Sequence, residues 1–296
     1  MTAIRFLLPF LLLAVSARAQ DMADVRITAK QVAPGIHVLE GRGGNIGVCS
    51  GKDGVFLIDD QFAPLTEKIT AAVREIGGGE IRFLVNTHFH GDHTGGNENL
   101  GRAGVLIVAH DNVRERLGTE QVNKLFDRTT PPSPEGALPV VTFNDAVTFH
   151  LNGETIRVFH VDNAHTDGDA VVHFVKADVV HAGDVYFNGL YPFIDTSAGG
   201  SIDGTLAAAD RILQIAGPGT RIIPGHGEVT GRDGLLAYRD MLATVRRNVK
   251  QLLDAGKNLE EIQAAKPTAD FDAEWGDGFL DPDTFTKAVA WSLGGE

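Results

Sequence analysis

Between residues 87 and 96 the chain reads THFHGDHTGG, which sets three histidines and an aspartate within six positions. Imidazole nitrogen and carboxylate oxygen are the donors that a cation such as zinc takes from a protein. His88 and His90 are two residues apart, so on an extended segment both side chains point the same way and can share one ion. Asp92 and His93 follow Gly91, whose freedom at positive φ would let the chain turn and aim them at a second position. An open catalytic zinc site takes three protein ligands and keeps a place for solvent, so the first position needs one more donor. NAHTDGD supplies it in His165, HAGD offers Asp184, and IIPGHGE offers His226. The carboxylate of Asp184 could tie the two positions together while Asp92, His93 and His226 hold the second. Two cations sharing a water lower its pKa towards about 7, which makes a nucleophile at neutral pH. Asp92 is the candidate catalytic residue that orients it.

These donors need strand ends to stand on. VRITA, GIHVLEG, NIGVCSG and GVFLIDD, between residues 25 and 60, are short β-type runs separated by turn residues and suit an antiparallel meander. Ile69, Val73 and Ile76 at helical spacing predict a helix over about 66–76, after which IRFLVNTHFH reads as a buried strand running into the cluster. The second half repeats the theme, with strands in PVVTF, AVTFHLNGETIRVFHV, AVVHFVKADVVHAGD and TRIIPGHG. Helices are expected at about 202–215 and 233–254, where Leu235, Tyr238, Leu242, Val245, Val249 and Leu252 form an apolar stripe suited to core packing. The Pro-rich run at residues 128–139 is the expected linker between two similar halves.

HFHGDH followed by AHTDGD, HAGD and PGHG resembles the metallo-β-lactamase fold superfamily of metal-dependent hydrolases, in motif order and at family-like intervals. The resemblance covers roughly residues 26 to 260. It implies an αββα sandwich of the α+β class, two mixed β-sheets packed face to face with helices on both outer faces and the metals in a cleft along one edge. It assigns His88, His90 and His165 to one ion, Asp92, His93 and His226 to the other, and Asp184 to the position between or beside them, with two Zn2+ or other divalent ions as cofactors. In the B1-type β-lactamases the family pattern has a cysteine where this chain has Asp184, and a lysine a few residues later for the substrate carboxylate. Here GDVYFNGLYPFIDTSAGGS has no lysine, as in the lactonase, thioesterase and glyoxalase-like branches. The implied activity is hydrolysis of a cyclic amide or ester, with a glyoxalase II-like thioesterase or a non-catalytic metal-binding protein as alternatives. Asn188 is the candidate substrate-binding residue, polarising a carbonyl. Asp60, at the end of GVFLIDD, is the candidate acceptor for a ligand histidine N–H, a role that such sites require.

The N-terminus has one positive charge at Arg5, an apolar run over residues 6–15 and Ala17-Arg18-Ala19, the pattern of a signal peptide over residues 1–19. The expected mature protein, residues 20–296, is a single hydrolase domain, periplasmic or secreted and free of the membrane after cleavage. A net charge of -13 repels phosphate backbones, so a small-molecule substrate is expected and nucleic acid is not. Cys49, the only cysteine, lies among apolar residues and reads as a core residue and not as a reactive thiol.

Overall fold

The computed structural model describes residues 22–295, so the expected signal peptide lies outside the described residues. The first half builds strands β1 (Thr28–Ala33), β2 (Ile36–Glu40), β3 (Ile46–Gly51), β4 (Gly54–Ile58), β5 (Ile81–Val85) and β6 (Leu106–His110). A hairpin of β7 (Gln121–Asn123) and β8 (Arg128–Thr130) follows, then β9 (Val141–Phe143). The second half builds β10 (Ala146–Leu151), β11 (Glu154–His160), β12 (Ala170–Phe174), β13 (Val179–His181), β14 (Arg221–Ile223) and β15 (Thr230–Gly231). One sheet has the order β1-β2-β3-β4-β5-β6-β9 and the other β10-β11-β12-β13-β14-β15. Both are mixed: β1 to β4 form the expected antiparallel meander, β4, β5, β6 and β9 run parallel, and β13 pairs parallel with β14 in an otherwise antiparallel sheet.

Period-two alternation explains the layers. In β4, Phe56 and Ile58 point at the second sheet and meet Ile156, Val158, Val172 and Phe174, whereas Val55 and Leu57 point outward. Outside lie α1 (Thr66–Glu75) and, beyond the short turn α2 (Gly91–Thr94), α3 (Asn97–Arg102), with Ile69, Val73 and Leu100 packed on that face. The next helix, α4 (Asp111–Leu117), leaves the end of β6. On the other side α5 (Ile202–Ile215) and α6 (Arg232–Asp254) cover the second sheet, and Leu235, Tyr238, Leu242, Val245 and Val249 of the predicted stripe are buried there. The C-terminal helices α7 (Leu259–Ala264), α8 (Asp272–Trp275) and α9 (Pro282–Ser292) pack on the same layer through Ile262, Trp275, Phe285 and Val289. The αββα sandwich is therefore the observed fold. Cys49 faces the layer between the sheets, and burial pushes its thiol pKa up, as a core cysteine requires.

One boundary differs from the expectation. The Pro-rich run at residues 128–139 is not a linker: it contains β8 and leads into β9, which adds to the first sheet beside β6. PVVTF thus belongs to the first half, and the chain changes sheets in the two residues between β9 and β10. Proline punctuates local structure, but which sheet takes β9 is decided by long-range pairing that a local signal does not carry.

Candidate metal centre

The parallel strands β4 and β5 end side by side, and their C-terminal extensions meet the ends of β11, β13 and β14 from the second sheet. After β5 the chain bends over residues 87–89, and His90, with extended backbone, leads into the turn of α2. Gly91 does so with ordinary helical backbone, so the turn needs no positive φ there. His88, His90 and His165 present ring nitrogens within 4.8 Å of one another. Asp92, His93 and His226 form a second such group, and His88, His93 and Asp184 a third that links the two. All seven predicted donors are thus brought together. Asp184 Oδ2 lies 3.7, 3.6 and 3.5 Å from Nε2 of His88, His165 and His226, and Oδ1 lies 3.1 Å from His93 Nε2. Its carboxylate stands between the groups, where a bridging ligand would.

The outer ring nitrogens decide whether these residues fit a cation. Thr87 Oγ1 donates to Asp59 Oδ2 at 2.7 Å, so it accepts from His88 Nδ1 at 3.0 Å. His90 Nε2 donates to Asp195 Oδ2 at 3.0 Å, His93 Nδ1 to Asp59 Oδ2 at 2.8 Å, and His165 Nδ1 to the Phe193 carbonyl at 2.6 Å. With the outer nitrogens acting as donors, these four imidazoles all turn their other ring nitrogen inward. His90 Nδ1 and His165 Nε2 face each other at 2.8 Å, and His88 Nε2 is buried without a hydrogen-bond partner. A buried ring nitrogen without a partner is costly, and here it lies among three converging groups of imidazole and carboxylate donors, so the donor set fits divalent metal.

The two groups differ electrostatically. Burial pushes the pKa of His88 well down, and burial with His90 pushes His165 down to about 4. In the second group burial opposes charging, but Asp184 and Asp92 outweigh it, so His93 is raised and His226 rises to about 9. Burial alone would raise Asp92 and Asp184, yet the facing histidines hold both well below the usual carboxylate range.

Two expectations are corrected. The ligand-orienting carboxylate is Asp59, which accepts from Thr87 N, Thr87 Oγ1 and His93 Nδ1, while Asp60 accepts from Gly96 N. Strand parity would put Asp60 on the face of Ile58, but Asp59 takes a left-handed backbone (φ 61) that breaks the alternation. Asn188 does not reach the cleft: its amide donates to the Glu228 carbonyl at 2.9 Å and accepts from Tyr186 Oη at 3.0 Å, joining two loops. Asp195, which holds His90, was passed over in the sequence. The signal there is the run Asp-Thr-Ser, since Asp195 Oδ1 caps Ser197 N and Ala198 N at 3.1 and 3.2 Å.

Two glycines let backbone approach the ligands. A Cβ on Gly225 would collide with Asp184 Oδ1, and one on Gly44 with the His93 ring. Above the ligands lies a cavity of about 500 Å³ whose floor includes His90, Asp92, Asp184 and His226. Its walls carry Phe62, Phe89, Phe126, Phe187, Phe193 and Phe279, and among the described residues Arg128 is the one lysine or arginine that lines it.

This fold with this His/Asp cluster defines a divalent-metal-dependent hydrolase. The chain belongs to the metallo-beta-lactamase superfamily, whose model matches residues 39–226. Metallo-beta-lactamase type 2 of Bacillus cereus is 23% identical over 190 residues, which span 64% of this chain and 69% of that protein. The metallo-beta-lactamase from Pontibacter korlensis superposes with a TM-score of 0.59 at 19% identity, over 74% of this chain and 99% of that one. The stereoselective inverting sec-alkylsulfatase Pisa1 from Pseudomonas sp. superposes with a TM-score of 0.66 at 19% identity, over 94% of this chain and 51% of that one. The chain spans about half the length of that sulfatase.

Proposed function

We propose that the protein is a zinc hydrolase holding two ions, one on His88, His90 and His165 and the other on Asp92, His93 and His226, with Asp184 shared. The observation that carries this reading is the inward convergence of seven donors, four of them imidazoles whose outer nitrogens are already committed. When bound, the ions polarise a carbonyl and acidify water. Asp92 stays anionic beside His226, its Oδ2 3.3 Å from Nε2, and is about 30% exposed at the cavity floor. It is placed to orient an attacking water and take its proton.

The substrate class we infer is a cyclic amide or ester, a β-lactam-like compound or a lactone, with the ester favoured by the cavity. The run after Asp184 has no lysine, and the walls are phenylalanine-rich with Arg128 as the one lining lysine or arginine among the described residues. A β-lactam carboxylate would have to be met by Arg128. The sulfatase likeness extends the reading to sulfate esters, which need the same water activation. We further infer an exported, periplasmic or secreted protein from residues 1–19, which predicts a mature N-terminus at Gln20 and recovery outside the cytoplasm. The deciding experiment assays zinc-loaded protein against β-lactams, lactones, thioesters and alkyl sulfates. Chelator-sensitive turnover of a lactone or ester is expected, and turnover of none of the four would leave a non-catalytic metal-binding protein.

A further inference from the structure

Phe279, in the turn between α8 and α9, is 71% exposed, the most exposed of the large apolar side chains among the described residues. Its ring centroid lies 5.3 Å from that of Phe126, which projects from the β7–β8 hairpin and is 40% exposed. Phe126 lies 5.1 Å from Phe193, and Phe193 stacks on His90 at 5.5 Å with an interplanar angle of 27°. The rings therefore form a row from solvent to a metal-ligand candidate. All three phenylalanines line the cavity whose floor is the donor cluster. Residues 126 and 279 come from segments far apart in sequence, yet both bring a phenyl ring to one rim. The hairpin is pinned there, because Asn123 Nδ2 donates to Asp195 Oδ2 at 3.3 Å and Lys124 N to Ser197 Oγ at 3.0 Å.

Exposed phenyl rings gain nothing from water, and an isolated one needs no explanation. A row that is continuous with a reactive floor has one economical occupant, the apolar part of whatever reacts there. We propose that the Phe279–Phe126–Phe193 row is the binding track for a linear acyl chain of the substrate, and that Phe126 and Phe279 set the chain length the enzyme accepts. The proposal rests on the hydrolase reading above and narrows it to acyl-bearing esters or lactones. The C-terminal segment thereby becomes part of the substrate site as well as part of the core.

The test follows 4-nitrophenyl esters from acetate to decanoate with zinc-loaded wild type and the Phe126→Ala and Phe279→Ala variants. In the wild type kcat/KM should rise by up to roughly fourfold per added methylene, mainly through KM. Both variants should flatten that rise, with the shortfall growing from acetate to decanoate. An identical chain-length profile in wild type and variants overturns the track while leaving chelator-sensitive hydrolysis, and so the function, standing. If no ester turns over, calorimetric binding of decanoate against butyrate still decides: at least about a tenfold preference that the double variant loses supports the track, and equal binding overturns it. A dimer that dissociates in Phe279→Ala, with the ester profile unchanged, would assign the rim to a second copy of the chain and overturn the proposal.

Discussion

The two donor groups lie against one another but are built on opposite principles. His88, His90 and His165 are imidazoles alone, and the outer nitrogen of each is held by Thr87, Asp195 or the Phe193 carbonyl. In the other group Asp92 and His226 are 30% and 23% exposed, and of its imidazoles it is His93 that is locked, by Asp59. Burial keeps His88 and His165 unprotonated, whereas the carboxylates keep protons on His93 and His226. His88 and His165 are ready for a cation without releasing a proton. The second group must give protons up first.

The harshest way to break this comparison is to remove a donor from the preorganised group. His88→Ala should lower metal content and turnover by more than the roughly 10–100-fold that loss of an outer partner causes, read by elemental analysis and steady-state kinetics. Full activity with one ion left in the second group would show that the ranking is reversed. Asp184→Ala tests the join between the groups: the second ion should be lost more readily than in His88→Ala, because the carboxylate supplies the charge that holds two cations close. Equal loss of both ions in the two variants would remove the bridging role.

Outer partners should act most on the group they touch directly. Asp195→Asn is expected to weaken the first ion and Asp59→Asn chiefly the second, each by about 10–100-fold, with a smaller effect of Asp59→Asn on the first ion through Thr87 and His88, and cobalt absorption showing which site is affected. If both variants shift chiefly the same site, the groups are not separable.

Acid sharpens the contrast more gently. His226 titrates near 9 against an ordinary 6.5, so in the metal-free protein its stabilising charge is fully present below about 6.5 and lost as pH rises through about 9. Binding to the second group competes with that proton. The His226 proton alone should therefore lower that group's affinity by up to about tenfold per pH unit below 9, while His165 of the first group takes up no competing proton until near pH 4. Zinc titrations in buffers of different ionisation enthalpy would count the protons released. The smallest effect belongs to Asn188→Ala, which should leave KM within about twofold because its amide serves the loop and not the cleft.

The ligands were legible in the sequence because imidazole and carboxylate clustered after apolar runs have few other tasks, and strand periodicity put each cluster at a strand end. The meander, α1, α5 and α6 were legible for a related reason, since spacing of two or of three to four reports which face is buried. Asp59 was not legible, because its left-handed backbone, which aims its carboxylate at Thr87 and His93, leaves no mark in the run GVFLIDD. Asp195 and the β7–β8 hairpin escaped because their roles depend on contacts across 105 and 72 positions. The same holds for β9, whose neighbours in the chain give no sign of which sheet it joins.

Gly225 and Gly44 carry a consequence for how this protein can change over time. At each position even one methyl group would strike a donor residue, so random drift there is closed off by volume before charge or reactivity enters. The cavity rim is the opposite: Phe126 and Phe279 stand partly in solvent and neither touches a donor side chain directly, so they can be exchanged at less cost to the centre below. Diversity among descendants of this chain should thus accumulate at the rim, with new substrates gained by altering the approach and the hydrolytic machinery inherited intact.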